Sequence, residues 1–299
     1  MTNSRPHPSE PLTAVVTGAS SGIGKETAKA LAGLGYRVFA LGRDPERLAQ
    51  AGREITAAAA KPEAVSLLRG DFALLADSAR LAVEILAQTD RIDVLVNNAG
   101  GVNDSLQMTA EGFEQTFTSN YLSPFLFTQL LLPALAASAA ERGEARVLAT
   151  SSIGHHSCPG IDFDDLQRLQ NFTTGGAYTS AKLGNILFTR ELAKRYGGQG
   201  ITAHAMEPGV VLESNFVSHA DATMQAYMGT LTEQAVTSAE AAKTLVWLAS
   251  HADLDHANGG YFYQLAPAAM SEAARDDAMA ERLWAESMAL VAAYLKTGD

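Results

Sequence analysis

Short apolar runs alternate along the chain with longer stretches in which apolar residues recur at the spacing of one helix face. The short runs have the length and the β-branched content of buried strands. They predict seven strands, at Leu12–Thr17, Arg37–Leu41, Ala64–Leu68, Val94–Asn97, Arg146–Thr150, Ile201–Met206 and Gly260–Gln264. Strands that alternate with helices in this way are typical of a parallel sheet. The pattern therefore predicts an α/β fold with one doubly wound parallel sheet of about seven strands and helices on both faces.

The chain shows no linker-like stretch and no shift in composition after its first residues, so we predict a single domain over residues 12–299. Residues 1–11 contain three prolines and no apolar core, which favours a disordered lead-in over a signal peptide. No stretch reads as a membrane span, because even residues 121–140 are interrupted by Pro124 and Pro133. We therefore expect a cytoplasmic protein without a membrane span.

Composition narrows the classes of partner. The formal net charge is −11 and no dense stripe of Lys and Arg is present, which argues against a nucleic-acid partner. Cys158 is the single cysteine, so no intrachain disulfide can form and a reducing compartment fits. His251 and His256 flank two aspartates, but their spacing puts the rings on different faces of a helix, so we predict no metal site.

A glycine-rich turn, Thr17-Gly18-Ala19-Ser20-Ser21-Gly22-Ile23-Gly24, separates the first predicted strand from a helix. Glycines let the backbone turn tightly and bring its N–H groups against a pyrophosphate, which the positive end of the helix also attracts. The spacing differs from the G-x-G-x-x-G fingerprint, so the evidence is the position of the turn after the first strand. That position predicts a dinucleotide-binding turn in a Rossmann-like sheet.

The same residues also spell G-x-S-x-G from Gly18 to Gly22, which would make Ser20 the nucleophile of a hydrolase. An elbow of that kind takes a second oxyanion N–H from an earlier strand and its loop. Because only residues 1–11 precede the first predicted strand, we favour the cofactor turn over the hydrolase.

The choice of nicotinamide cofactor depends on Gly42-Arg43-Asp44-Pro45, which follows the second predicted strand. A dinucleotide enzyme places here either an acid for the ribose 2′-hydroxyl or a base for a 2′-phosphate. Asp44 lies about 20 residues beyond the glycines, yet Pro45 directly after it makes Asp44 a helix N-cap. Arg43 is then free to bind a phosphate. The pattern favours NADP(H) over NAD(H), with a solvated loop arginine as the alternative interpretation.

Tyr178 and Lys182 stand four residues apart on a predicted helix, so their side chains share one face. An ammonium beside a phenol lowers the phenol pKa from ~10 toward neutrality, which would make Tyr178 a general acid/base. Ser151 and Ser152 end the fifth predicted strand, where open sheets of this type bind ligands. We predict that Ser152 donates a hydrogen bond to a substrate oxygen, although a hydroxyl that only caps the loop is the alternative.

Together these motifs resemble the short-chain dehydrogenase/reductase family over nearly the whole chain. TGASSGIG is similar to the family's T-G-x-x-x-G-x-G, and Asn97-Asn98-Ala99-Gly100 is similar to its N-N-A-G after the fourth strand. The family's catalytic tetrad corresponds here to Asn120, Ser152, Tyr178 and Lys182. The resemblance implies that Asn120 holds a water linking Lys182 to solvent, and that Lys182 binds the nicotinamide ribose and tunes Tyr178.

The resemblance also implies the contacts of an NADP(H) cofactor. Asp71 would contact the adenine, Asn98 would shape the floor of the site, and Pro208-Gly209 matches the family's turn after the sixth strand. The full set of implied cofactor contacts comprises Gly18, Ser20, Ser21, Gly22, Ile23, Gly24, Arg43, Asp71, Phe72, Asn98, Ala99, Gly100, Tyr178, Lys182, Pro208, Gly209 and Val211. The implied activity is hydride transfer between NADP(H) and the carbonyl or alcohol carbon of a small, largely apolar substrate.

Several stretches resemble the retinol-dehydrogenase branch of the family, namely LGRD, TAEGFEQTFTSNYLSPFLFTQLLLP, IDFDDLQ, GGYF and LWAES. The chain departs from the family after Pro208-Gly209, where a threonine is usual and Ser214 is the candidate replacement. The segment Leu212–Leu231 is predicted to form either a mobile lid over an apolar ligand or a surface helix with a core-facing stripe of apolar side chains. The adaptable apolar side chains in it are Phe216, Met224, Tyr227 and Met228.

Two other functions stay open on the sequence alone. One is a ketoreductase of polyketide-like secondary metabolism, and the other is a non-catalytic NADP(H)-binding regulator, which the complete tetrad disfavours. Family members often pair through the helices that correspond to those carrying Asn120 and Tyr178. The resemblance therefore implies a homodimer or a homotetramer.

Overall fold

The computed structural model describes residues 10–212, 216, 220–251, 254 and 257–296, without the side chain of residue 227. Residues 1–9 of the predicted lead-in therefore lie outside the described residues. Glu10 pairs with Arg91 at 2.9 Å, and the carbonyl of Pro11 accepts a hydrogen bond from Arg142. The last two lead-in residues thus contact the folded domain.

The centre of the fold is a single sheet. Its strands are β1 (Thr13–Thr17), β2 (Arg37–Gly42), β3 (Val65–Arg69), β4 (Val94–Asn97), β5 (Ala145–Thr150), β6 (Ile201–Met206), β7 (Tyr261–Tyr263) and β8 (Ala266–Pro267). They lie in the order β3-β2-β1-β4-β5-β6-β7-β8, and all neighbouring pairs are parallel except β7 and β8. The predicted doubly wound, Rossmann-like parallel sheet is therefore confirmed.

The strand count differs from the seven predicted. β8 has two residues, runs antiparallel to β7, and follows a turn in which Gln264 and Leu265 have φ of 47° and 65°. Gln264, predicted as the end of the last strand, lies in that turn instead. No sequence pattern marks β8, because two residues cannot show the alternation that identifies a strand.

The described residues form helices on both faces of the sheet. They are α1 (Gly22–Gly33), α2 (Pro45–Ala58), α3 (Leu75–Leu86), α4 (Gln115–Phe117), α5 (Ser123–Arg142), α6 (Thr174–Tyr196), α7 (Ala222–Thr230), α8 (Ser238–Ser250) and α9 (Asp277–Leu295). Asp44 caps α2 as predicted, since its carboxylate accepts the N–H of Arg47 at 2.9 Å and Pro45 is the first helical residue. Thr173 caps α6 in the same way, through the N–H of Gly176 at 3.1 Å.

Two hydrophobic cores flank the sheet. Along β1 the side chains alternate between them, with Val15 in one core and Ala14 and Val16 in the other. Helices α3, α5, α6 and α9 contribute to the first core, and α1, α2 and α8 contribute to the second. Burial on both faces explains why the strands read as nearly continuous apolar runs in the sequence.

The helix over Gln115–Arg142 departs from the sequence expectation. It runs from α4 through a π-helical turn, Thr118–Leu122, into α5, and neither Pro124 nor Pro133 ends it. Among the described residues it is long and apolar enough to cross a membrane, and 67% of its most apolar stretch is buried inside the domain. The core packing around it offsets the hydrogen bond that each proline removes, so the prolines do not break the helix.

Helix α9 covers part of α5 and α6. The indole of Trp284 packs against Phe125 and Phe188 at ring-centroid distances of 5.1 and 5.8 Å. The hydroxyls of Tyr121 and Ser287 hydrogen-bond at 2.7 Å inside the same contact. The surface of α5 and α6 around Trp284 is therefore buried within the chain.

Candidate active site

A cleft of about 630 Å³ opens at the edge of the sheet where β1, β2, β4, β5 and β6 end. It brings together nearly all of the residues predicted to bind a cofactor or a substrate. Its walls include Gly18, Ser20, Ser21, Gly22, Ile23, Arg43, Asp71, Phe72, Asn98, Ala99, Gly100, Ser152, Tyr178, Lys182, Pro208, Gly209 and Val211. Gly24 and Asn120 do not line the cleft, and each packs directly behind a residue of its wall.

The glycine-rich turn leaves no room for side chains at two positions. Gly18 has a φ of +69°, and a Cβ there would lie 3.0 Å from atoms of Asn98 and Ala99. A Cβ at Gly24 would lie 2.4 Å from the carbonyl oxygen of Gly18. The turn is therefore a close-packed main-chain cradle at the start of α1, where unpaired N–H groups attract an anion.

The hydrolase alternative has no histidine base beside Ser20 in the part of the chain that the structure describes. Among the described residues no histidine hydrogen-bonds Ser20, which an activated serine nucleophile requires. The side chain of Ser20 instead packs so close to Gly42 that a Cβ on Gly42 would lie 2.8 Å from it. The geometry therefore favours the cofactor turn.

Asn98 and Thr17 join β4 to the glycine-rich turn. The Thr17 hydroxyl accepts the N–H groups of Asn98 and Ala99, each at 2.9 Å, and the Asn98 amide donates to the carbonyl of Thr17 at 3.1 Å. Thr150 donates to the amide oxygen of Asn98 at 3.2 Å. Asn98 therefore fixes the floor of the cleft through its hydrogen bonds to two neighbouring strands.

Arg43 and Asp44 have separate environments at one end of the cleft. The guanidinium of Arg43 is 60% exposed, with one nitrogen 3.8 Å from the Asp71 carboxylate. The backbone N–H of Arg47 holds the pKa of the Asp44 carboxyl below its usual range, because the hydrogen bond stabilises the carboxylate. Asp44 is thus engaged as a helix cap, and Arg43 is the exposed charge after β2.

Lys182 is the buried cation of the cleft. It is 4% exposed, and its Nζ donates to the carbonyl of Thr150 at 2.9 Å. Burial lowers the pKa of Lys182 to about 8. The ammonium lies 5.5 Å from the ring centroid of Tyr178, one helical turn away on α6. The two side chains therefore share one face, as their spacing predicts.

The pKa of Tyr178 differs from the sequence expectation of a lowered value. Burial raises it to about 12, and the hydrogen bond with the Ser152 hydroxyl lowers it by less. The expectation of a pKa near neutrality was wrong for this structure, because Lys182 contacts Thr150 rather than the phenol oxygen and desolvation disfavours the phenolate. Tyr178 is therefore a phenol at neutral pH.

Ser152 caps its loop, which is one of the two roles that the sequence left open, and its bond to a substrate stays a prediction. Its hydroxyl oxygen accepts the N–H of Gly154 at 3.0 Å, which caps the 3₁₀ turn Ile153–Ser157. The hydroxyl also hydrogen-bonds the phenol of Tyr178. A serine hydroxyl can accept and donate at once, so the cap does not prevent it from donating to a ligand.

Asn120 lies in the π-helical turn behind the cleft. Its amide nitrogen donates to the carbonyls of Gly101 and Thr116, each at 2.9 Å, and its oxygen accepts the N–H of Gly101 at 3.2 Å. A Cβ on Gly100 would lie 2.4 Å from the Asn120 oxygen and 3.6 Å from Lys182 Nζ. Asn120 therefore lies close to Lys182, with Gly100 between them, and π turns often mark functional sites.

The segment after β6 supplies an apolar wall. Gly209 has a φ of +75°, and the ring of Phe216 lies against Tyr178 at a centroid distance of 5.1 Å. Met224, Met228 and Leu231 line the cleft beside it. Ser214 and parts of the predicted lid lie outside the described residues, and a mobile lid stays a prediction.

The predicted absence of a metal site is not tested, because four residues of the stretch from His251 to His256 lie outside the described residues. Within the described part of the chain, no group of three or more His, Cys, Asp and Glu side chains is placed to hold a metal ion.

The cleft also contains polar residues that sequence reasoning missed, namely Arg47, Asn103, Asp104, Gln107, Gln115, Ser119, Thr150, Ser157 and Thr179. Thr150 ends β5, so the rule that identified Ser152 applies to it as well. Gln107 and Gln115 flank an irregular segment whose path no periodicity predicts.

Comparison with known proteins places this geometry among oxidoreductases. The sequence matches the family described as short chain dehydrogenase over residues 12–225. It is 37% identical to human retinol dehydrogenase 13 over 284 residues, which cover 93% of this chain and 84% of that protein. It is 38% identical to human retinol dehydrogenase 12 over 278 residues, with 93% and 85% covered.

Two solved structures share the fold. An uncharacterized protein from Mycobacterium paratuberculosis is 30% identical, with a TM-score of 0.71 and coverage of 95% of this chain and 96% of that one. The Pseudomonas aeruginosa RhlG/NADP active-site complex is 27% identical, with a TM-score of 0.66 and coverage of 84% and 93%.

Proposed function

Because the chain belongs to the short chain dehydrogenase family of oxidoreductases, we propose that it uses NADP(H) to interconvert a carbonyl and an alcohol on a small, largely apolar substrate. The observation that carries the proposal is the meeting of Ser152, Tyr178 and Lys182 in the same cleft as the glycine cradle. A hydroxyl donor, a phenol and a buried ammonium are the groups that carbonyl reduction needs around the reacting oxygen.

The cleft fits a dinucleotide because the close-packed glycine turn places the main chain at the start of α1 along the cleft wall, where its N–H groups can bind a pyrophosphate. We assign the phosphates to Ser20–Ile23, the adenine to Asp71 and Phe72, and the nicotinamide ribose to Tyr178 and Lys182. The remaining contacts fall to Asn98, Ala99, Gly100, Pro208, Gly209 and Val211. When bound, the cofactor supplies or accepts the hydride.

The proton comes from Tyr178. Its pKa of about 12 keeps it a phenol at neutral pH, so in reduction it can donate its proton to the carbonyl oxygen. The Ser152 hydroxyl stabilises the charge that develops on that oxygen. Lys182, whose pKa is about 8, is mostly protonated at neutral pH and stabilises the phenolate that Tyr178 becomes.

The preference for NADP(H) rests on Arg43 and Asp44. Asp44 is occupied by the N–H of Arg47, so it is a poor partner for a ribose 2′-hydroxyl. Arg43 is exposed at the cleft wall, where its guanidinium can bind a 2′-phosphate. The RhlG complex contains NADP, whereas a reductase of similar fold is complexed with NAD, so the argument for NADP(H) is the environment of Arg43 and Asp44 alone.

The apolar wall supports an apolar substrate. Phe216, Met224, Met228 and Leu231 adjoin the tetrad, and flexible methionines adapt to ligands of different shape. The relatives are named retinol dehydrogenases, so a long apolar aldehyde or alcohol is the first class to test.

The direct test is NADPH-dependent reduction of retinaldehyde, an aromatic aldehyde and a cyclic ketone by the wild type, Tyr178→Phe and Tyr196→Phe. Tyr196 lies on the same helix, α6, so Tyr196→Phe controls for loss of a hydroxyl. We expect turnover by the wild type and the control, and a loss of at least about 100-fold in Tyr178→Phe. Full activity of Tyr178→Phe contradicts the mechanism, and tight NADPH binding without any turnover favours the non-catalytic regulator.

Location and assembly stay predictions. A cytoplasmic location is consistent with a single, buried cysteine. Pairing through the helices that carry Asn120 and Tyr178 would have to use parts of those helices that Trp284 and the rest of α9 do not cover. Sedimentation equilibrium of the purified protein distinguishes a monomer from a homodimer or a homotetramer.

A further inference from the structure

His155 lies fully buried directly behind Ser152, in the turn Ile153–Ser157. Its ring Nδ1 lies 2.8 Å from the carbonyl oxygen of Ser152. Its ring Nε2 lies 3.1 Å from the backbone nitrogen of Ser271, in the segment between β8 and α9. The imidazole therefore joins the Ser152 turn to a segment that lies 116 residues further along the chain.

The two partners of His155 fix its protons, because both are main-chain groups. A carbonyl oxygen can only accept, so Nδ1 carries a proton, and a backbone N–H can only donate, so Nε2 carries none. A protonated ring would also carry an N–H at Nε2, and this N–H would face the N–H of Ser271 and repel it. Burial lowers the pKa of His155, with a smaller contribution from His156, and so favours the neutral ring.

Aromatic neighbours pack against the ring. The rings of His156 and Tyr261 lie against it at centroid distances of 4.1 and 4.9 Å. The Tyr261 hydroxyl donates to Glu207 Oε2 at 2.7 Å, and Glu207 directly precedes the cleft wall at Pro208. The ionisable groups facing His155 are thus His156 from its own turn and Tyr261 from β7, with Glu207 behind Tyr261.

Ser152 depends on this turn for its position. Its carbonyl accepts the backbone N–H of His155 at 3.1 Å as well as the ring Nδ1–H, and its hydroxyl accepts the N–H of Gly154. Nδ1 is the side-chain donor that holds the Ser152 main chain while the hydroxyl points to Tyr178. A small shift of a catalytic group costs a large factor in rate.

We propose that His155 is a positioning residue for Ser152, and that the Nδ1–H of its neutral imidazole holds the main chain of the catalytic serine in place. The inference rests on the proposed function, because it assigns His155 to the carbonyl-reduction step. His155 does not line the cleft, so we expect it to act on turnover and not on NADPH affinity.

The test uses variants of His155 that keep one of the two hydrogen bonds of its ring at a time. His155→Asn places an amide N–H near the position of Nδ1, and His155→Gln places an amide oxygen near the position of Nε2. His155→Phe removes both groups and keeps a ring, and His156→Asn is the control at the exposed neighbour. We would measure kcat, KM, the NADPH Kd and the thermal unfolding of each variant with the best carbonyl substrate.

We expect His155→Asn and His156→Asn to keep kcat within about twofold of the wild type. We expect His155→Gln and His155→Phe to lose about 10- to 100-fold in kcat with unchanged NADPH Kd. If His155→Phe does not fold, His155→Gln decides the outcome. A wild-type kcat in His155→Gln, or a His155→Asn as slow as the other two, overturns the positioning role.

The pH profile adds a readout that a purely structural role does not change. Protonation of Nε2 would push the ring away from the Ser271 N–H and so weaken the contact of Nδ1 with Ser152. We therefore expect kcat to be flat at neutral pH and to fall only as the pH drops through the folded pKa of His155, which burial holds below 6.5. The acid limb should be absent in His155→Asn, because an amide does not titrate. An unchanged acid limb in that variant contradicts the inference.

Failure of this inference can be distinguished from failure of the proposed function. A wild type that reduces no carbonyl contradicts the proposed function, whereas an active wild type with a fully active His155→Gln contradicts only the role of His155. ¹⁵N NMR of labelled histidine tests the bridge without turnover. We expect a neutral His155 with its proton on Nδ1 at pH 7, and a protonated Nε2 overturns the bridge.

Discussion

At one end of the cleft the chain turns through Gly18–Gly24 and presents main-chain N–H groups beside an exposed arginine, Arg43. At the other end, buried side chains meet, and burial raises the pKa of Tyr178 to about 12 and lowers that of Lys182 to about 8. The first end is constrained by shape, because a Cβ at Gly24 has no space. The second end is constrained by electrostatics, because a buried ammonium is costly. Substitutions should therefore impair binding at the first end and turnover at the second.

The largest effect is expected at the electrostatic end. Lys182→Met removes the ammonium that we propose stabilises the Tyr178 phenolate and contacts the nicotinamide ribose, and we expect kcat to fall about 1,000-fold with a much smaller loss of NADPH affinity. Lys194→Met is the control on α6, because the Lys194 side chain is 57% exposed. Steady-state kinetics and an NADPH fluorescence titration measure both quantities. Equal losses in kcat and in NADPH affinity would remove the distinction between the two ends.

The next effect tests the end that depends on shape. Gly24→Ala forces a Cβ to 2.4 Å from the Gly18 carbonyl oxygen, so we expect NADPH binding to weaken about 100-fold. Gly35→Ala is the control, since Gly35 has a φ of +88° but no atom within 4 Å of an added Cβ. The control should lose about 1 kcal/mol of stability and keep its NADPH affinity. Tight NADPH binding by Gly24→Ala would contradict the close-packed cradle.

The pH dependence of stability isolates the cost of burying Lys182. Its pKa is about 8 in the folded chain against 10.5 in the unfolded chain, so between these values the unfolded state binds more protons. Stability from this group therefore rises with pH across that window, by about 3 kcal/mol. Urea unfolding measures the free energy of unfolding of the cofactor-free wild type and of Lys182→Met. The difference between these two free energies should change by that amount between pH 7.5 and 10.5. A pH-independent difference would mean that the ammonium is well solvated.

The smallest effect concerns the cofactor's 2′-phosphate. We expect Arg43→Ala to weaken NADPH binding about 10-fold and to leave NADH binding unchanged. Arg53→Ala, at an exposed arginine of α2 outside the cleft wall, is the control. Asp44→Ala should lower the melting temperature slightly and leave NADH binding unchanged, because the carboxylate caps α2. Loss of NADH binding in Asp44→Ala would show that the carboxylate contacts the ribose instead.

The sequence was sufficient to predict the end of the cleft that the glycine-rich turn and Arg43 form. Glycines at Gly18 and Gly24, a proline after Asp44 and an exposed Arg43 act within a few residues, so their geometry follows from the sequence. The same holds for the existence of the first seven strands, whose apolar runs reflect burial on both faces.

The sequence alone could not predict the burial and the contacts of Asn120, Ser152, Tyr178 and Lys182. The spacing of Tyr178 and Lys182 placed them on one face of α6, but the direction of the Tyr178 pKa shift depends on desolvation by the surrounding fold. The π turn at Asn120 depends on packing, as does the passage of the long helix through Pro133. These features have no local signal, because the atoms that decide them come from distant segments.

By itself, the sequence determined the parallel sheet and the glycine cradle, because turn geometry and strand periodicity are properties of neighbouring residues, whereas the tetrad was implied by the resemblance to a known family. Only the tertiary structure decided which side chains are desolvated and which distant groups they contact. The bond between His155 and Ser271 joins residues 116 positions apart, and the one between Tyr261 and Glu207 joins residues 54 apart. Electrostatics in a buried site depends on everything packed around it, and that packing exists only once the chain has folded.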